Sequence, residues 1–302
     1  MIDTSGKTIC VVRAGRGACR SRWVRIGHIG LVLTLVVAAT SLTGCSKVRA
    51  RGEMQKGNKA YNKEAYGEAL SRFQSAVRLD PGATFAYRSL GLSAMAQVKP
   101  GDSSPANVTM AKTAVDAFEK YLKDTPPDRE KVEDWVVSTW LSVAKFDKAI
   151  SFLEGLRRDR PGEKRYITAI ITIYVKSGQF PAAMAYADKY ASGDAGAYYN
   201  IATNAWGKSY GDPTTPLADR IAIIDIGLQA AQRAMAIKPD NADAMVYTNL
   251  LYREKAKVDL DPARQKQWLA LADEWRTKAI ALRDRQKGVK PTPTSPGAAK
   301  PV

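Results

Sequence analysis

The chain has 302 residues, 45% of them hydrophobic and 25% charged, which is the composition of a folded globular protein and excludes wholesale disorder. Its formal net charge is +16, a value that first suggests a nucleic-acid partner. The one histidine is His28, and the three cysteines are Cys10, Cys19 and Cys45. All of these except Cys45 lie in a segment that we expect to be removed. The mature chain could then form no internal disulfide, no Cys/His metal site and no imidazole-dependent catalytic triad.

The N-terminus has the features of an export signal. Basic residues from Arg13 to Arg25 precede an apolar stretch from Ile29 to Ala39. Those eleven residues are too few to span a bilayer comfortably, but they fit the hydrophobic region of a signal peptide. The stretch leads into the sequence L-T-G-C that ends at Cys45, which resembles the bacterial lipobox. The resemblance implies that residues 1–44 are removed and that Cys45 is lipidated. An uncleaved N-terminal anchor is the alternative.

Removal of this segment changes the charge and the accessible partners of the protein. It takes away six Lys/Arg and one Asp, which lowers the formal charge from +16 to +11. Lys47, Arg49, Arg51 and Lys56 follow the anchor, where anionic headgroups attract basic side chains by about 1 kcal/mol each. The alternative interpretation of these four is a solvated start of a helix. Because an exported, tethered protein has little access to nucleic acid, we expect no nucleic-acid partner.

The mature chain contains a repeated helix–turn–helix pattern. Gly57 and Gly91 lie 34 residues apart, and so do Ala149 and Ala183. In the segment from Gly57 to Pro81, small residues stand where two helices approach closely, aromatic residues fill the space between them, and the proline ends the unit. This pattern resembles the tetratricopeptide (TPR) repeat, and it recurs along most of the mature chain.

The resemblance implies an all-α fold, a TPR-type superhelical solenoid of antiparallel helix pairs with about five to six repeats. We expect a lipidated tether over residues 45–49, the solenoid over 50–287 and a disordered, Pro-rich tail over 288–302. Two repeats are longer than 34 residues, and we expect enlarged turns at Val98–Val108 and Gly207–Asp219. An unrelated helical bundle is the alternative fold.

In TPR proteins, the first helices of the pairs line a concave wall that binds extended or helical peptide segments. By this resemblance, the peptide-groove candidates are Asn58, Tyr61, Phe85, Arg88, Leu92, Tyr199, Thr203 and Trp206. By the same resemblance, Met54, Met95, Asp134 and Thr172 also face the groove. The aromatic members favour an apolar or amphipathic partner segment, with Arg88 holding an acidic group of that partner. Ordinary packing between helices is the alternative role of each residue.

No motif indicates catalysis, so we expect no enzyme, no catalytic residues, no metal and no cofactor. Glu133 and Asp134 are adjacent carboxylates, which point in different directions on a helix, and we expect them to lie on a solvated face.

The sequence therefore predicts a membrane-anchored adaptor or scaffold that binds protein partners in cell-envelope assembly. Ser46 follows Cys45. In the familiar enterobacterial sorting pattern of lipoproteins, a residue other than Asp at this position is typical of proteins in the outer membrane. We therefore expect the protein at the periplasmic face of the outer membrane. The alternative function is a cell-wall polymer-binding or hydrolytic envelope protein that contacts peptidoglycan through its basic surface.

Overall fold

The computed structural model describes residues 45–212 and 214–288. The expected signal peptide and residues 289–302 of the expected tail lie outside this part of the chain. Twelve helices and no strands occur among the described residues. The helices are α1 (45–62), α2 (Tyr66–Leu79), α3 (Thr84–Met95), α4 (Pro105–Leu122), α5 (Arg129–Ser142), α6 (Phe146–Asp159), α7 (Lys164–Lys176), α8 (Phe180–Tyr190), α9 (Ala195–Gly211), α10 (Leu217–Ile237), α11 (Ala242–Val258) and α12 (Pro262–Gln286). The chain divides into two compact units, one up to Ala86 and one from Tyr87.

The first unit contains the helix pair α1 and α2. Gly57 of α1 faces the ring of Phe73 on α2, and a β-carbon at position 57 would lie only 2.7 Å from a ring carbon. Ala69, Phe73 and Ala76 on α2 are fully buried in this contact. The small residue and the aromatic residue therefore play the packing roles that the repeat pattern predicts.

The second unit consists of successive helix pairs that pack on their neighbours. Within it, α6 packs on α7, α7 on α8, α9 on α10, and α11 on α12. The first helices of neighbouring pairs also touch, α7 with α9 and α9 with α11, and α8 touches α10. The expected all-α fold of TPR-type helix pairs is confirmed.

The turn inside three of the pairs has the same backbone conformation. Glu64, Ala144 and Gly178 have φ angles of 59°, 56° and 79°, in the left-handed region. Each stands five residues before the small buried residue that begins the packing face of the next helix. In each turn the following N–H donates to the carbonyl five residues earlier, as Lys145 does to Trp140 at 2.9 Å. This is the hydrogen-bond pattern of a Schellman helix end, and it lets the chain reverse within three residues.

The expected enlarged turns are only partly correct. Helix α3 ends at Met95 and α4 begins at Pro105, and α9 ends at Gly211 and α10 begins at Leu217, so many of the inserted residues belong to the helices. Helix α4 has 18 residues and α10 has 21, against 14 for α2. Helix α4 starts at Pro105 because Ser104 accepts a hydrogen bond from the Asn107 N–H, and proline fits the first helical position.

Residues 45–49, which we expected to form a tether, are the first described turn of α1. Among the residues that the structure describes, no helix combines the length and the hydropathy needed to cross a membrane.

Candidate functional site

Four aromatic side chains on the first helices of the last two pairs form the candidate binding surface, here called the aromatic surface. Tyr199, Trp206 and Tyr210 lie on α9, and Tyr247 lies on α11. Tyr199, Trp206 and Tyr210 are spaced by seven and four residues, so they share one face of α9. Tyr247 comes from the neighbouring helix and lies between them.

The rings of the aromatic surface contact one another in series. Tyr199 meets Tyr247 edge-on, with ring centroids 5.6 Å apart, and Tyr247 meets Trp206 at the same distance. Trp206 stacks on Tyr210 at 5.3 Å with only 16° between the ring planes. Tyr210 ends the series with 61% of its surface exposed. Because each ring is fixed by the next, the surface presents ordered aromatic area that costs little entropy on binding.

Burial also changes the chemistry at the inner end of the series. It raises the pKa of the Tyr199 phenol, and the neighbouring Tyr247 and Asp243 add to the rise. A tyrosine hydroxyl is already protonated around neutral pH, and the rise keeps it a hydrogen-bond donor.

A cavity of about 500 Å³ opens beside the outer end of the aromatic surface. Trp206 and Tyr210 form one wall, and residues of α11 and α12 form the other: Leu250, Arg253, Glu254, Ala256, Lys257, Gln265 and Leu269. The charges at its rim are paired within the chain. Lys257 contacts Glu254 at 2.7 Å, and Arg253 contacts Asp273 at 2.6 Å. The cavity therefore has apolar walls and a polar rim of nearly balanced charge, which suits an apolar side chain from an amphipathic segment.

A strip of polar side chains joins α7 to α9 beside the aromatic surface. The Asn200 amide donates to the Thr172 hydroxyl at 3.0 Å, and the Asn204 amide donates to Asn200 at 2.7 Å. The Thr203 hydroxyl donates to the Asn200 carbonyl at 2.9 Å. Thr172 and Thr203 thus lie where the sequence placed them, on first helices, but their hydroxyls already donate inside the chain.

The remaining groove candidates have different surroundings. In the first unit, Asn58 is exposed, Tyr61 packs edge-on against Tyr66 at 5.2 Å, and Phe85 is 67% exposed. In the second unit, Leu92 is half-buried.

Arg88 does not present a free guanidinium. Its Nε donates to the Asp128 carboxylate at 2.8 Å, and its guanidinium lies over the Trp135 ring. Asp128 also accepts from the Tyr121 hydroxyl at 2.7 Å. The acidic group that Arg88 holds is thus one of its own chain, which the sequence could not show because Asp128 lies 40 residues away.

The expectation that Glu133 lies on a solvated face is wrong, although its neighbour Asp134 is exposed. The Glu133 side chain is 2% exposed, and it pairs with Arg129, Arg160 and Arg165. The Tyr166 hydroxyl donates to the same carboxylate at 3.0 Å. Burial raises the pKa of Tyr166 to about 12, and the Glu133 carboxylate adds to the rise.

This cluster has the character of a structural junction between helices α5, α6 and α7. The buried Glu133 carboxylate holds three guanidinium groups and a tyrosine hydroxyl together at this junction. Among residues 45–212 and 214–288, no group of His, Cys, Asp and Glu is arranged to hold a metal ion.

Comparisons with known proteins give structural likeness only. No protein-family model matches the chain, and no curated protein matches it. Among solved structures, MamA matches at 13% identity and a TM-score of 0.33, over 82% of this chain and 98% of MamA. YrrB, described as a TPR protein with an unusual peptide-binding site, matches at 18% identity and a TM-score of 0.32, over 64% of this chain and 88% of YrrB.

A TPR-repeat protein from Bacteroides fragilis matches at 13% identity and a TM-score of 0.42, over 69% of this chain and 98% of that structure. YrrB and the Bacteroides fragilis protein are described as TPR proteins. Likeness at this level carries no argument about the fold or a site. The fold assignment therefore rests on the helix pairs and turns of this chain itself.

Proposed function

We propose that the chain is a protein-interaction scaffold that binds an apolar or amphipathic segment of a partner on the aromatic surface. The observation that carries the proposal is the ordered series of Tyr199, Tyr247, Trp206 and Tyr210 beside an apolar-walled cavity. Tryptophan and tyrosine are the side chains that most often dominate the binding energy of an interface. Tyr210 is largely exposed and stacks on Trp206, and contiguous exposed apolar area of this kind is typical of interaction sites.

We further propose that Cys45 carries a lipid that anchors the scaffold in the cell envelope, at the periplasmic face of the outer membrane. The support is the basic, apolar and L-T-G-C sequence of residues 13–45, together with the exposure of Cys45 in the described structure. Two or more acyl chains give stable membrane attachment without a membrane-spanning helix.

A quantitative co-purification tests the binding surface. We expect the pair Trp206→Ala and Tyr210→Ala to reduce recovery of a specific envelope protein at least about tenfold, since each aromatic anchor typically contributes 1–2 kcal/mol or more. Leu260→Ser is the control, because Leu260 is 85% exposed and lies outside the aromatic surface. Equal recovery from both variants and the parent protein would exclude this surface as the binding site.

Metabolic labelling with an alkyne fatty acid tests the anchor. The parent protein should take up the label and sediment with membranes, whereas Cys45→Ser should remain unlabelled and keep its signal segment. A labelled Cys45→Ser protein, or an unlabelled parent, would contradict the anchor. Salt-sensitive sedimentation with purified peptidoglycan would instead favour the cell-wall function.

A further inference from the structure

A basic pocket lies in the first unit, between the start of α1 and the end of α2. It has a volume of about 670 Å³, and its lining residues are Arg49, Gly52, Glu53, Lys56, Ser75, Arg78 and Leu79. On α1 these residues are spaced by three or four, so they form one face of the helix. Arg78 belongs to the last turn of α2, which runs antiparallel to α1 and therefore ends beside its start.

The pocket has more positive charge than its own carboxylate can balance. Glu53 pairs with Lys56 at 2.8 Å and with Arg72 at 3.3 Å. The Arg78 guanidinium donates to the Ser75 hydroxyl at 2.9 Å, which does not neutralise it. Within the part of the chain that the structure describes, neither Arg49 nor Arg78 makes an ion pair with a carboxylate. Two guanidinium groups thus face an open concavity with their charge uncompensated.

We propose that this basic pocket binds the phosphate of an anionic lipid headgroup. The inference rests on the proposed anchoring at Cys45, which supplies the reason for a lipid surface at this place. Cys45 is exposed in the first described turn of α1. At 1.5 Å per residue, Arg49 lies about 6 Å and Lys56 about 16 Å along the helix axis from Cys45. The anchor would hold the pocket at the level of the headgroups, where the phosphates are concentrated.

The chemistry of the pocket fits a phosphate group. Arginine offers paired N–H donors in a planar fork that matches phosphate oxygens, and Arg49 and Arg78 come from different helices. Because the two arginines lie on different helices, they line a concave site, which a run of basic residues on one helix would not form. Arg51 and Lys59 lie on α1 as well but do not line the pocket, and both are exposed.

Vesicle binding tests the pocket without the covalent anchor. The protein is the mature chain with Cys45→Ser, and the probe is a phosphatidylcholine vesicle with or without phosphatidylglycerol. We expect binding only to the vesicles that contain phosphatidylglycerol. The pair Arg49→Gln and Arg78→Gln should weaken that binding about tenfold or more, because it removes two guanidinium groups that would donate directly to the phosphate.

The matched control is the pair Arg51→Gln and Lys59→Gln, which removes the same charge outside the pocket. A loss of binding clearly smaller than that of the pocket variant supports the proposal. Equal losses would show simple attraction between a basic surface and an anionic one and would overturn it. Saturable binding of inorganic phosphate without vesicle binding would also overturn the lipid assignment. Binding of an acidic peptide at the pocket, without vesicle binding, would overturn it as well.

The lipid label of Cys45 separates the two proposals. If the chain takes up the label but the pocket variant binds vesicles like the control, the pocket proposal fails and the anchor proposal stands. If the chain takes up no label but only the pocket variant loses vesicle binding, the pocket proposal stands and the anchor proposal fails. Far-UV circular dichroism confirms that both charge variants retain their helices.

Discussion

Gly91 on α3 lies against the ring of Phe118 on α4, and a β-carbon at position 91 would lie 2.5 Å from a ring carbon. The same arrangement joins Gly57 to Phe73 one repeat earlier. A glycine at this place allows two helices to approach more closely than any side chain would permit. Because real β-carbons essentially never lie that close to another heavy atom, the contact requires glycine.

Replacement of Gly91 by alanine should therefore destabilise the protein. We expect the free energy of unfolding to fall by about 1–3 kcal/mol, the usual cost of overpacking a core. Gly155→Ala is the control, since Gly155 lies within α6 and a β-carbon there meets nothing within 4 Å. Alanine should stabilise the protein there by about 0.5–1 kcal/mol. Urea denaturation measures both, and the same sign for the two variants would contradict the packing argument.

The left-handed turn residues should respond in opposite directions to glycine and alanine. Ala144 has a φ of 56°, which costs a residue with a β-carbon about 1 kcal/mol. Ala144→Gly should therefore raise the free energy of unfolding by up to about 1 kcal/mol, and Gly178→Ala at the equivalent position should lower it by a similar amount. Thermal and urea unfolding of both variants test this, and two changes of equal sign would be incompatible with the turn geometry.

The packing residues of the repeats could be predicted from the sequence because they follow a local rule. Gly57, Ala69 and Phe73 stand at fixed spacing within one helix pair, so one unit shows their roles. The inserted residues between Ala69 and Ala114 could be located only roughly. The N-cap at Ser104 determines where α4 begins, and therefore how many of the inserted residues belong to the helix and how many to the turn.

Contacts between distant segments could not be predicted in this way. Tyr247 belongs to a different repeat from Trp206, and no spacing within one helix joins them. Tyr210 continues the helical spacing of Tyr199 and Trp206, but it falls within the predicted turn Gly207–Asp219, and the structure places it on α9. The guanidinium groups around Glu133 come from α5, from the residue that follows α6 and from α7, so adjacency in sequence gives a wrong prediction for that carboxylate.

Removal of the Glu133 charge should be costly. Glu133→Gln removes the buried carboxylate from Arg160 and Arg165, which keep only more exposed partners such as Glu163, and we expect a loss of about 3 kcal/mol of unfolding free energy. Asp134→Asn is the control, because the Asp134 side chain is 78% exposed, and we expect a change within about 0.5 kcal/mol. Equal stabilities of the two variants, compared by urea denaturation, would show that the buried cluster contributes nothing.

The turn between α11 and α12 should make stability depend on acid pH. The Arg264 guanidinium holds the pKa of Asp259 well below its usual range, and the Asp261 N–H and the Trp268 indole also donate to this carboxylate. A carboxyl group whose pKa is lower in the folded state stabilises the fold above its unfolded pKa, near 4, and loses that contribution as the pH falls toward the folded pKa.

Asp259→Asn should therefore be less stable than the parent protein at pH 7, and the difference should shrink progressively below pH of about 4. Arg264→Gln should weaken the same pH dependence, since it removes the main partner of Asp259. Urea midpoints at several pH values measure both effects. A difference between Asp259→Asn and the parent that stays constant from neutral to strongly acid pH would contradict this account.

The central claim, that the aromatic surface binds a partner protein, is tested most directly by site-specific photocrosslinking in intact cells. A photoreactive phenylalanine analogue replaces Tyr210, which is 61% exposed, and in a second strain it replaces Gln229, which is exposed on the second helix α10 of the same pair. We predict a discrete crosslinked species of one identifiable envelope protein from position 210 and none from position 229. No adduct from position 210, or the same adducts from both positions, would contradict the claim.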